Sequence, residues 1–221
     1  MNDNTRTIGK GNAKADANTK MDRRTLLRGA SIFGGGLYMA LNAQRPLARA
    51  AMANENPIVF TQEQWKTVEA ITGRIIPTDN QPGAIEANCV NFIDKALANE
   101  DAVARPVFLA GLASLTAVSL KNNSKPFVLL NSEQQDQLLQ NMQDDKVTPW
   151  PNTAPAASAF FEMLRAMTII GFMADPKYGG NANMSGWRVA RYPGPRHHAG
   201  GYTPAQMLGE EQIITLWGEK M

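Results

Sequence analysis

The chain has 221 residues, 43% of them hydrophobic, enough for one core with flanking segments. The first 53 residues hold nine of the 22 Lys/Arg and three of the 20 Asp/Glu, so the formal net charge of +2 hides a remainder with 13 basic and 17 acidic residues. That remainder has no basic excess for phosphates, which argues against nucleic-acid binding, and a single cysteine, Cys89, excludes an internal disulfide and an all-cysteine zinc site.

Residues 1–20 are polar and lack apolar periodicity, as disordered segments do. Asp22-Arg23-Arg24-Thr25-Leu26-Leu27-Arg28 then resembles the twin-arginine export signal, with Arg23, Arg24, Leu26, Leu27 and Arg28 as its signal residues. The apolar stretch from Ala30 to about Ala43 is shorter than the ~20 residues of a secure membrane span. Ala48-Arg49-Ala50 and Ala51-Met52-Ala53 resemble cleavage sites. Residues 1–53 are therefore expected to be a leader: a disordered segment followed by a twin-arginine signal peptide. The other reading is a basic amphipathic helix or an anchor that is never cut. The twin-arginine route carries folded cargo, so the tag raises the question of what has to fold first.

From residue 54 to 176 the pattern predicts a mainly α, small domain of about five helices. Thr61 with Gln64 forms a capping box ahead of a helix carrying Trp65, Val68, Ile71, Thr72 and Ile75 and stopped by Pro77. TDNQPG at 78–83 reads as a turn. A second helix is expected from Ala84 to Asn99, with Ile85, Cys89, Phe92, Ile93 and Leu97 near one face. A third is expected from about Asp101 to Leu120, with Pro106 in its first turn. Ser132 with Gln135 suggests another capping box, opening a helix to about Asp144. The last helix is expected over Ala156 to Met173, with Phe160, Phe161, Leu164, Met167, Thr168 and Phe172 inward.

Residues 177–221 are dense in Gly and Pro and are expected to form a long irregular tail, without helix or central strand. The tail carries aromatics and arginines, the side chains that anchor interfaces. Tyr178, Trp187, Arg188, Tyr192 and Arg196 are thus candidates for binding a partner. The alternative is that the tail packs on its own helices. Cys89 has two readings, a small buried residue or a thiol that pairs with another chain.

Chemistry within this chain finds little support. His197 and His198 are adjacent and have no Asp or Glu within eight residues. No H-E-x-x-H, C-x-x-C-H, G-x-G-x-x-G after a strand, or G-x-S-x-G occurs. No catalytic, cofactor-binding or metal-ligating residue is assigned.

Ala70 to Leu97, AITGRIIPTDNQPGAIEANCVNFIDKAL, and Phe160 to Arg196, FFEMLRAMTIIGFMADPKYGGNANMSGWRVARYPGPR, resemble the opening and closing motifs of the gluconate 2-dehydrogenase subunit 3 family. The most specific pieces are Ile76-Pro77-Thr78-Asp79, Pro82-Gly83, Tyr178-Gly179-Gly180-Asn181, Gly186-Trp187 and Tyr192-Pro193-Gly194. Residues 101–155 resemble it in helical character only. The resemblance implies a non-catalytic small subunit with no cofactor of its own. It implies a large subunit of the glucose-methanol-choline oxidoreductase type that holds FAD and oxidises a sugar or sugar acid. It also implies a multihaem cytochrome c subunit, the twin-arginine translocase as export partner, and a periplasmic location at the outer face of the cytoplasmic membrane. The small subunit would act as an export chaperone for the flavin-loaded chain, which answers the question the tag raises. Two other hypotheses compete: a stand-alone periplasmic metal-binding protein or enzyme using His197 and His198, and a structural protein held at the membrane by an uncut leader.

Overall fold

A computed structural model describes residues 56–196, 201–218 and 220. The leader residues Arg23, Arg24, Leu26, Leu27 and Arg28, and the pair His197 and His198, lie outside the described residues. Among the described residues seven α-helices follow one another: α1 (Gln62–Ile75), α2 (Cys89–Ala98), α3 (Arg105–Asn123), α4 (Ser132–Gln143), α5 (Ala157–Met173), α6 (Ser185–Ala190) and α7 (Pro204–Leu208). The fold is mainly α, as the sequence predicts, and no strand occurs among the described residues beyond an isolated bridge between Ile214 and Lys220.

Helix α5 is the hub, in contact with α1, α2, α3, α4 and α6. Its six predicted inward residues, Phe160, Phe161, Leu164, Met167, Thr168 and Phe172, are all buried. Phe160 closes an aromatic row: its ring meets Phe108 of α3 edge-on at 5.5 Å, and Phe108 meets Phe60 at 5.7 Å, separations typical of favourable ring pairs. Gly111 allows α3 to come this close. A Cβ there would lie 2.4 Å from the Phe160 ring, so contact with the ring offsets the usual cost of a mid-helix glycine.

Helix starts show how local and distant residues divide the capping. At α1 the Thr61 side chain accepts from Gln64 N while the Gln64 side chain accepts from Thr61 N, the predicted box. At α4 the box is one residue earlier than predicted, Asn131 with Gln134. Ser132 and Gln135 do not form it, because Gln135 is buried and donates Nε2 to the Phe127 carbonyl at 3.0 Å. At α5 the N-cap is Ala156, which has no capping side chain. Asp145 supplies the cap from 13 residues upstream: its carboxylate accepts from Ser158 N at 2.9 Å and from Ser158 Oγ at 2.5 Å. These bonds satisfy a first-turn amide of α5 and hold the Asp145 carboxyl below the usual carboxylate range, the Ser158 hydroxyl contributing most.

Two helices begin later than predicted. The second starts at Cys89 and not Ala84, because Asn88 sits at φ 53° in the left-handed region and the preceding residues form turns. The third starts at Arg105 and not Asp101, with Pro106 in its first turn as expected. Arg105 folds its guanidinium back onto the carbonyls of Leu97 and Ala98 at 2.8 and 3.1 Å, satisfying carbonyls at the end of α2.

The chain enters the fold through a contact that sequence patterning does not reveal. Asp94 on α2 is 1% exposed, and its carboxylate accepts from three successive backbone amides: Ile58 N at 2.6 Å, Val59 N at 2.9 Å and Phe60 N at 2.9 Å. A buried carboxylate is tolerable where charge-assisted hydrogen bonds of this kind satisfy it.

Candidate functional site: a glycine-built clasp

The two stretches that carry the family resemblance meet around the start of α2. After Ile76 the chain doubles back, with Ala84 N donating to Ile76 O at 2.9 Å. Glu86 holds the turn, its Oε2 accepting from Thr78 Oγ1 at 2.5 Å and from Gly83 N at 2.8 Å. Gly83 is required here because a Cβ would lie 2.5 Å from Ile76 O.

The closing stretch then wraps over this turn and over the end of α5. Ala182 N donates to Ala87 O at 3.0 Å, and Asn91 Nδ2 donates to Gly179 O at 2.8 Å. Asn181, fully buried at φ 47°, donates Nδ2 to Ala174 O at 2.8 Å and accepts from Gly186 N at 2.7 Å. One asparagine thereby ties the exit of α5 to the second residue of α6. Gly180 and Gly186 make the closest approaches. A Cβ on Gly180 would lie 2.2 Å from Gly171 O, and one on Gly186 would lie 1.7 Å from Phe172 O. These glycines let backbone pack on backbone.

The predicted tail is therefore not uniformly irregular. Six residues from Ser185 to Ala190 form α6 inside the Gly-rich stretch, between Met184 and Arg191, which both take left-handed backbone and bound it, and its one internal glycine, Gly186, faces α5. Trp187, expected as a partner anchor, is 4% exposed and belongs to this chain's own core. Its Nε1 donates to Met173 O at 2.7 Å, and Tyr192 packs edge-on against it at 5.2 Å. Tyr192 is half-buried. Burial, with Tyr202 and the Asp175 charge nearby, pushes its phenol up to about 12. Asp175 caps the following turn through Lys177 N, while its other oxygen is buried without a hydrogen-bond partner.

The remaining candidates divide by position. Tyr178, Arg188 and Arg196 are exposed. Cys89 is wholly buried at the start of α2, and burial pushes its thiol well above the ordinary thiol range. A bond from Cys89 to another chain requires that helix start to open. Among the described residues no group of three or more His, Cys, Asp or Glu could hold a metal ion, and no helix is long and apolar enough to cross a membrane.

These features define a small, mainly helical domain in which two separated glycine-containing stretches lock around one helix start. The Gluconate 2-dehydrogenase subunit 3 family matches residues 62–194, and the chain belongs to that family. Its role is that of a subunit of a multi-subunit gluconate dehydrogenase type of oxidoreductase complex. No curated protein and no solved structure matches the chain. The match begins at the first residue of α1 and ends at Gly194, just past the clasp.

Proposed function

We propose that this chain is the non-catalytic small subunit of a periplasmic, membrane-associated, FAD-dependent dehydrogenase of the gluconate 2-dehydrogenase type. It supports the folding of the flavin-binding large subunit and takes that subunit across the membrane by the twin-arginine route. A cytochrome c subunit would receive the electrons. The observation that carries the proposal is the family match, which runs from α1 through α6 and the clasp. The Arg23-Arg24 motif supports the export step, since flavin inserted in the cytoplasm obliges its carrier to cross folded.

The test is to isolate the full chain from membranes and record the absorbance of what accompanies it. A flavin band with a second, larger chain is expected, and haem bands would add the cytochrome. Replacing both Arg23 and Arg24 by Lys should leave the larger chain in the cytoplasm. A colourless single chain, or export of the flavoprotein unaffected by the double replacement, would sink the reading.

A further inference from the structure

Residues 202–218 fold back onto the end of the clasp. Near the start of this segment Tyr202 Oη donates to Gly194 O at 2.9 Å, with its phenol beside that of Tyr192. Near its end the Trp217 ring lies 3.2 Å from Lys177 Nζ. Between these points Ile213 and Ile214 run against Gly194, where a Cβ would lie 2.9 Å from Ile214 O. Lys177, Tyr192 and Gly194 belong to the span that matches the family, and residues 202–218 lie beyond it. The segment also holds itself together. Thr203 and Gln206 form a capping box at α7, Thr203 Oγ1 donates to Glu211 Oε1 at 2.9 Å, and Glu210 N donates to Ala205 O at 2.9 Å.

We infer that residues 202–218 are a strap that opens and closes as one unit over the end of the family body, while the helices and the clasp stay folded. Burial carries the argument. Thr215 is the one buried residue of the segment, and Met207, Leu208, Leu216 and Trp217 are each more than half exposed. The clasp just before it buries Met184, Trp187, Val189 and Ala190. A segment that buries little apolar surface opens at a small fraction of the cost of global unfolding. The contacts it gives up are of the weaker kinds, a neutral hydrogen bond and a cation–π contact at an exposed ring. Its internal bonds, from Thr203 to Glu211 and from Glu210 to Ala205, do not cross to the body and hold the segment together as it lifts. Opening withdraws Trp217 from the Lys177 ammonium and Tyr202 from the Tyr192 phenol, so the strap covers one cation and one phenol of the family body when closed. The inference is independent of the subunit role proposed above.

The test is amide hydrogen exchange on the full chain and on two variants, Tyr202→Phe and Trp217→Ala, which alter exposed side chains at opposite ends of the segment. In the unaltered chain the Met207, Glu210 and Gly218 amides, all bonded within the segment, should exchange much faster than the clasp amides of Ala182 and Gly186, bonded to Ala87 O and Asn181 Oδ1. Each variant should speed exchange at the far end about tenfold, Trp217→Ala at Met207 and Glu210 and Tyr202→Phe at Gly218, because one opening serves both ends. The clasp amides should keep their rates. Acceleration confined to the altered end overturns the strap, since the two attachments then open separately. Acceleration of the clasp amides by the same factor also overturns it, since the segment then opens only with the body. No acceleration in either variant means that Tyr202 and Trp217 do not hold the segment down, and the inference falls.

Discussion

The indole of Trp187 donates its one hydrogen bond, at 2.7 Å, to the carbonyl of Met173, the last residue of the central helix. The ring thus closes α5 from outside its own sequence and is buried as it does so. Trp187→Ala should lower the stability of the isolated chain by ~3–5 kcal/mol, the range for emptying a large aromatic site. Trp187→Phe keeps most of the volume, loses the hydrogen bond, and should cost ~1–2 kcal/mol. Chemical denaturation of the two variants measures both. If Trp187→Ala melts like the native chain and loses only its partner, the ring does not belong to this core.

Gly186 poses a sharper requirement. A single methyl there would lie 1.7 Å from the carbonyl oxygen of Phe172, and that oxygen is helix backbone. Gly186→Ala should therefore cost about 3 kcal/mol, the upper end for overpacking, whereas Gly201→Ala, at φ 86° with open space around it, should cost only ~1 kcal/mol from conformational strain. The comparison of their urea midpoints separates crowding from backbone preference. Equal losses would mean that α6 does not approach α5 this closely.

Asp94 accepts three amides on one carboxylate. Asp94→Ala leaves all three without a partner and should destabilise by about 3 kcal/mol, in the range of hydrogen bonds to a charged group. Hydrogen exchange gives the more local readout. The amides of Ile58, Val59 and Phe60 should lose their protection in Asp94→Ala. If they remain protected, something else holds them.

Asp145 makes a pH prediction. Its folded pKa is lowered by the Ser158 hydroxyl and amide, so its contribution is fully present above the unfolded carboxyl value of about 4. That contribution is lost as pH falls through the lower folded value. Asp145→Asn should therefore reduce stability at neutral pH and make the loss on acidification shallower below about pH 4. Melting temperatures across that range test it, and parallel curves for the two proteins would show that Asp145 is not the acid-sensitive cap of α5.

How far the sequence reveals the fold depends on how local each cause is. The α1 capping box lies within four residues, and the inward face of α5 repeats at helical spacing, so both are legible. The α4 box is ambiguous in sequence, because Asn131 with Gln134 and Ser132 with Gln135 both fit. The Phe127 carbonyl decides between them by engaging Gln135, and that contact exists only after folding. The cap of α5 comes from Asp145, and the charge on α2 faces three amides more than 30 residues away. Asp94 has no sequence pattern to mark it, since an acid in a short helix reads as a solvated face.

The clasp was legible as a place and not as a role. Aromatics on Gly-rich backbone have the same signature whether they pack on a partner or on their own helices. The glycines distinguish the cases only through what stands opposite them. For Gly180 and Gly186 that is the backbone of α5 itself. Tyr178, three residues before the buried Asn181 in the same motif, remains exposed.

The carboxylate that receives the chain at residues 58–60 also determines where mechanical load enters the molecule. Tension applied ahead of Ile58 reaches the three bonds to Asp94 before it reaches α1, and it passes from there into α2 at the centre of the packed body. A pull from that end meets the Ile58 bond first and then those of Val59 and Phe60, and α1 cannot be peeled away turn by turn until they yield.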